Sequence, residues 1–167
     1  MNIILVVVRL LHILAAVAWV GVGLTQVIII GPALAAAGES GLRFAKALGT
    51  IPAFRMVFPV ASGVTVLAGI ILYLTGSVSH FSQTGNIVLG IGALAGIAAM
   101  IHGGAVTGRS AAALGELIAN SVPNTGAIPA DALAQIRAKA AEQASHTRLS
   151  FILMVIALIG MGAARYL

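Results

Sequence analysis

Apolar residues run along this chain in four long blocks with few polar interruptions, unlike the one-sided periodicity of a helix on a water-soluble fold. The blocks cover roughly residues 3–30, 54–75, 87–107 and 149–166. Each comes close to or exceeds the roughly 20 helical residues needed to cross the roughly 30 Å hydrocarbon layer of a bilayer. The pattern predicts an all-α fold, a four-transmembrane-helix bundle forming a single integral membrane domain over residues 1–167. The first block has no basic stretch ahead of its apolar run and is longer than the apolar core of a secretory signal. It reads as an uncleaved helix.

The connections between blocks differ. Residues 108–148 are too many for a turn and are rich in Ala. Residues 109–120 can continue the third helix, residues 121–129 contain Pro123, Asn124, Gly126 and Pro129 that would stop it, and Asp131 can begin a helix running into the fourth block. This predicts a helical-hairpin extension between helices 3 and 4. The first connection has a turn at Gly38-Glu39-Ser40-Gly41, then a short amphipathic stretch over residues 42–48 suited to the membrane interface. No internal repeat stands out.

Composition supports a lipid environment: 60% of residues are hydrophobic and 8% charged, against about a quarter charged in soluble domains. The charge of +5, from nine Lys and Arg against four Asp and Glu, then has a membrane meaning. Arg43, Lys46 and Arg55 lie in or beside the first connection, and Arg109, Arg137, Lys139 and Arg148 in or beside the third, whereas residues 76–86 contain neither Lys nor Arg. The positive-inside rule makes the first and third connections cytoplasmic and both termini external. Membrane lipids are the expected partners, and no nucleic acid is expected. With no cysteine, disulfides, thiolate metal sites and iron–sulfur clusters are excluded.

On the first helix Arg9, His12, Ala16, Trp19, Gly23 and Gln26 fall on one stripe at spacings of three and four. Such a stripe cannot face acyl chains, because polar groups in hydrocarbon need partners. It is expected to face the interior, either as packing and interhelical hydrogen bonds or as a ligand site around His12. Ser62, Thr65, Gly69 and Tyr73 form a milder polar face on the second helix, most simply read as packing, with Pro59 expected to kink or start that helix. The third helix has a Gly92–Gly96 pair that could support a homodimer. His102 shares a face with Ala95, Ala99, Val106 and Arg109.

Two histidines could clamp a b-type haem if level on facing helices. Rise along the helices puts His12 about 14 Å, His102 about 22 Å and His146 about 31 Å from the outer ends. Neither adjacent pair is level, which favours a single ligand, His12 or His102. His80 and His146 are expected at the outer loop and the inner helix end, solvated or interfacial. Met56, Met100, Met154 and Met161 do not cluster as copper ligands would. Glu39, Glu116, Asp131 and Glu142 all lie in connections, which argues against a carboxylate-driven transporter. No Ser–His–Asp, Walker or Rossmann pattern is present.

The segment Arg9-Leu-Leu-His12-Ile-Leu-Ala-Ala-Val-Ala-Trp19-Val-Gly21, followed by Pro32-Ala-Leu34, resembles the first helix of copper-resistance D (CopD) type membrane domains. Gly41-Leu-Arg43-Phe-Ala-Lys46-Ala-Leu, leading to Ser62-Gly63 and Gly69, continues that resemblance over about the first 75 residues. A His followed seven residues later by Trp is also similar to the membrane-bound protoporphyrinogen oxidases of haem biosynthesis. Those enzymes differ in carrying an intramembrane lysine, while Lys46 and Lys139 lie in connections. Both resemblances imply a protein of the bacterial cytoplasmic membrane. The second implies His12 as a haem b ligand, with catalysis left undecided.

The leading expectation is a haem-b-binding redox or electron-transfer bundle. Its cofactor-contacting residues would be His12, His102, Trp19, Arg9 and Arg109, with His12 or His102 on iron and an arginine on a propionate. The alternatives are an accessory subunit of a larger membrane complex and a copper or small-solute permease.

Overall fold

The computed structural model describes residues 2–75 and 83–167. His80 and most of the second connection lie outside them. Among the described residues there is no β-strand, and five helices account for nearly all of the chain: α1 Ile3–Ala36, α2 Gly38–Gly49, α3 Pro52–Thr75, α4 Thr84–Ser121 and α5 Ala130–Tyr166. All but α2 are long and apolar enough to cross a membrane.

Local chemistry sets the helix ends. The Asn2 side chain accepts from the Ile4 N–H and caps α1. Pro52 starts α3 where its missing N–H is harmless. Pro59 lies inside α3, so the helix continues through it and the Arg55 carbonyl loses its usual donor. The turn between α1 and α2 passes through Gly38 at φ 56°, and the turn before α5 through Gly126 at φ 87°; both are left-handed conformations that favour glycine.

Helix α1 runs past the expected end at residue 30 because Gln26–Ile30 widens into a π-turn, in which the Gly31 N–H donates to the Gln26 carbonyl. Pro32 follows at once with no N–H to give, so the wider turn keeps the helix going. Helix α4 has the same device at Gly103–Thr107, where the Gly108 N–H donates to the Gly103 carbonyl. Each π-turn is closed by a glycine whose added Cβ would sit 3.1 Å from the bonded carbonyl. Each half of the chain thus contains one π-turned helix, a parallel that the residue pattern does not reveal.

Helix α1 packs mainly along α3, and α4 along α5. The α4–α5 contact is a glycine crossing: a Cβ on Gly92 would lie 2.9 Å from the Met161 nitrogen, and one on Gly160 would lie 2.8 Å from Gly92 Cα. The Gly92–Gly96 face therefore meets α5 of its own chain, with Met161 and Ala157 against Gly96. The pair that the sequence offered as able to support a homodimer thus packs within the chain. The two pairs meet at Trp19 of α1, Ala61 and Val66 of α3, Ala99 of α4 and Met154 of α5.

A second apolar cluster forms beyond the π-turns. Ile118, Val122, Ile128, Ala132 and Ile136 pack together, with Leu42 and Ala45 of α2 and Leu114, Leu117 and Leu133 around them. Lys46 Nζ donates to the Val122 carbonyl at 2.6 Å, and the Arg43 guanidinium donates to the Gly126 carbonyl. The Val122 carbonyl lies where α4 ends, the negative pole of its dipole, and Gly126 in the turn that follows. Both basic connections thus form one cap at one end of the molecule.

Candidate functional site

The α1 stripe turns inward from His12 to Gln26, with Trp19 and Gly23 buried and His12, Ala16 and Gln26 half-buried. Arg9, one turn nearer the amino end, is exposed. Gly23 is small because Met154 of α5 occupies the space: a Cβ there would be 2.7 Å from the Met154 methyl. Trp19 fills the junction of the four membrane-length helices.

His12 packs against α3. Its Nδ1 lies 2.8 Å from the Thr65 carbonyl oxygen, and a carbonyl can only accept, so Nδ1 carries the proton. In the neutral ring Nε2 is then the unprotonated nitrogen, and no hydrogen bond engages it among the described residues. Gly69 makes this possible, since a Cβ there would approach the imidazole Cε1 to 2.9 Å. Thr65 is buried, and its hydroxyl donates to the Ala61 carbonyl at 2.7 Å. The face of α3 read from sequence as packing is therefore also the platform that orients the imidazole. A ring nitrogen held by a backbone carbonyl, with the other left open, is the usual arrangement of a ligating histidine. The Nε2 lone pair has the chemistry of a metal or haem-iron ligand.

His102 lies in the other half. Its Nδ1 is 2.8 Å from Ser150 Oγ, and Thr107 Oγ1 is 2.8 Å from the same hydroxyl. Thr107 also donates to the His146 carbonyl at 3.3 Å; the π-turn brings its hydroxyl there. The His102 and His146 rings are 6.0 Å apart at 59°, and His146 Nε2 lies 3.8 Å from Glu142 Oε1. The sequence-based depth count separated these two histidines by roughly 9 Å. The structure makes them neighbours. Gly85 lies against Ala164, and nearly equal numbers of residues lead inward from that contact to His102 and to His146. The count went wrong at the assumed helix ends.

His12 and His102 belong to different helix pairs, and neither is a hydrogen-bond or ring-contact partner of the other. Arg109 is exposed beyond the π-turn of α4. The structure thus brings His12 together with Thr65 and Gly69, and His102 with His146, Ser150 and Thr107, but does not gather the five candidate residues into one site. Among the described residues no group of three or more His, Cys, Asp or Glu is arranged to hold a metal ion. Met154 and Met161 fill space beside Gly23 and Gly96. No protein-family model, curated protein or solved structure matches the chain.

Proposed function

We propose that this chain is a haem-b-binding redox protein of the bacterial cytoplasmic membrane, with His12 as the axial ligand. The observation that carries this reading is the His12 Nδ1 contact of 2.8 Å to the Thr65 carbonyl, which leaves Nε2 as a lone-pair donor on an interior-facing stripe. A bound b-type haem would supply a one-electron couple. The residues of the chain then have separate tasks. Thr65 fixes the tautomer, and Gly69 leaves room for the ring. Trp19 closes the interior two turns along from His12. Arg9 offers an exposed guanidinium one turn away on the same stripe, suited to pairing with a propionate. His102 and Arg109 lie apart from this set and are not required by it.

The orientation follows from charge: Arg43, Lys46, Arg55, Arg109, Arg137, Lys139 and Arg148 put the cap in the cytoplasm and both termini outside. The first-helix resemblance to CopD type domains and to the haem-linked oxidases is consistent with this reading.

The test is the absorption spectrum of the protein purified in mild detergent. A Soret band with a b-type pyridine haemochrome is expected, lost in His12→Ala and retained in His102→Ala. A colourless protein that copurifies with other subunits would overturn the reading in favour of an accessory role.

A further inference from the structure

The cations at the cap end fall into two sets. Arg43, Lys46 and Lys139 are engaged within the chain: Arg43 with Gly126 and Glu39, Lys46 with Val122, and Lys139 with Glu142. Arg55, Arg109 and Arg148 are exposed, and none of them makes an ion pair or side-chain hydrogen bond among the described residues; Arg137 is likewise exposed and unpaired but lies about three turns from Arg148 along α5, out on the cap. The chain's four carboxylates all lie on the cap, yet none reaches these three arginines.

Their positions are related. Arg55 precedes Phe58 by one turn and Arg148 precedes Phe151 by one turn, and both phenylalanines pack on the Trp19 cluster. Arg109 follows Thr107, whose hydroxyl reaches Ser150 and the His146 carbonyl on α5. The three thus stand on three helices, α3, α4 and α5, where the apolar stretch ends and the cap begins. All three are arginine, whose planar fork pairs with two phosphate oxygens at once.

We propose that Arg55, Arg109 and Arg148 form a girdle that holds the phosphates of anionic phospholipids and seats the cap against an anionic leaflet. The proposal rests on membrane insertion of the four long helices and is independent of haem binding. Basic residues near such a surface each add to the attraction, and here no carboxylate neutralises them.

The test is native mass spectrometry of the detergent-solubilised chain offered equal concentrations of dioleoylphosphatidylglycerol and dioleoylphosphatidylcholine. The wild-type chain should carry phosphatidylglycerol preferentially. Each Arg→Gln change among the three should lower that preference about fivefold, and the triple variant should abolish it. Arg137→Gln, an exposed cap position, should leave it unchanged, and triple Arg→Lys should fall between wild type and triple Gln. Circular dichroism checks that each variant keeps its helix content. Equal binding of the two lipids by wild type, a preference surviving in a folded triple Gln variant, or an equal loss in Arg137→Gln would overturn the proposal.

Discussion

In the cap, Ile136 and Val122 keep 1% of their exposure and Ile118 and Ile128 keep 6%. In the membrane-length helices, Leu14, Val17, Leu94 and Ile159 remain 63–70% exposed, while Gly23, Gly92, Gly96 and Gly160 are buried. The centre of the cap packs as a water-soluble domain does, burying large side chains because water drives them together, while Phe44 on its α2 surface stays exposed. Apart from Trp19, Val66 and Met154 at their junction, the long helices turn most of their large side chains out and their small ones in. That arrangement suits hydrocarbon, where burial between helices brings no hydrophobic gain and close backbone approach decides the contacts. The lesson is that burial separates two environments: large side chains are hidden at the centre of the cap and left exposed along most of the long helices, as helices that cross a membrane require.

Deleting a large cap side chain should produce the largest effect. Ile136→Ala is expected to cost about 2–5 kcal/mol, whereas Leu94→Ala, on an exposed apolar face, should stay within about 0.5 kcal/mol. Thermal unfolding in mild detergent, followed by circular dichroism, measures both, and equal losses would break the comparison. Next is Gly160→Ala, which forces a Cβ against the Gly92 backbone and should cost about 1–3 kcal/mol by spreading α4 from α5. The same change at Gly162, where nothing lies within 4 Å, should be close to neutral. Lys46→Met should cost about 1 kcal/mol, because the Val122 carbonyl loses its donor while the aliphatic stem remains.

The smallest expected effect is electrostatic. The Glu142 carboxylate accepts from the Lys139 ammonium at 2.9 Å, and this hydrogen bond, then the Lys139 charge, holds its pKa below the ordinary glutamate value. A lowered folded pKa adds stability that is full above the unfolded value and disappears as pH falls through the folded one. Because Glu142 is exposed, water and salt screen the effect. Glu142→Gln should therefore remove only a slight acid-side decline in melting temperature, visible at low ionic strength.

Much of this contrast was legible in the residue pattern. Apolar length located the four long helices, Pro123 and Pro129 marked the break between α4 and α5, and the basic residues grouped the first and third connections that the cap joins. The stripe on α1 announced an inward face from His12 to Gln26. What the pattern could not supply was register between helices. A GxxxG pair reads the same whether its partner is another chain or Gly160, and histidines far apart in sequence become neighbours only through the contact of Gly85 with Ala164. The π-turns were hidden for a related reason: one extra residue per turn leaves composition untouched, and only Pro32 after Gly31 hinted at it. Thr65 and Gly69 were noticed as a packing face, but their hold on the imidazole depends on how α1 and α3 are aligned.

The account's central claim is that His12 gives its Nδ1 proton to the Thr65 carbonyl and keeps Nε2 open. The ¹⁵N spectrum of histidine-labelled protein free of haem in lipid nanodiscs at neutral pH, with the His12 signal assigned by its loss in His12→Ala, reads this directly. The account predicts that the neutral form of the ring carries its proton on Nδ1. A neutral ring protonated at Nε2 would contradict it.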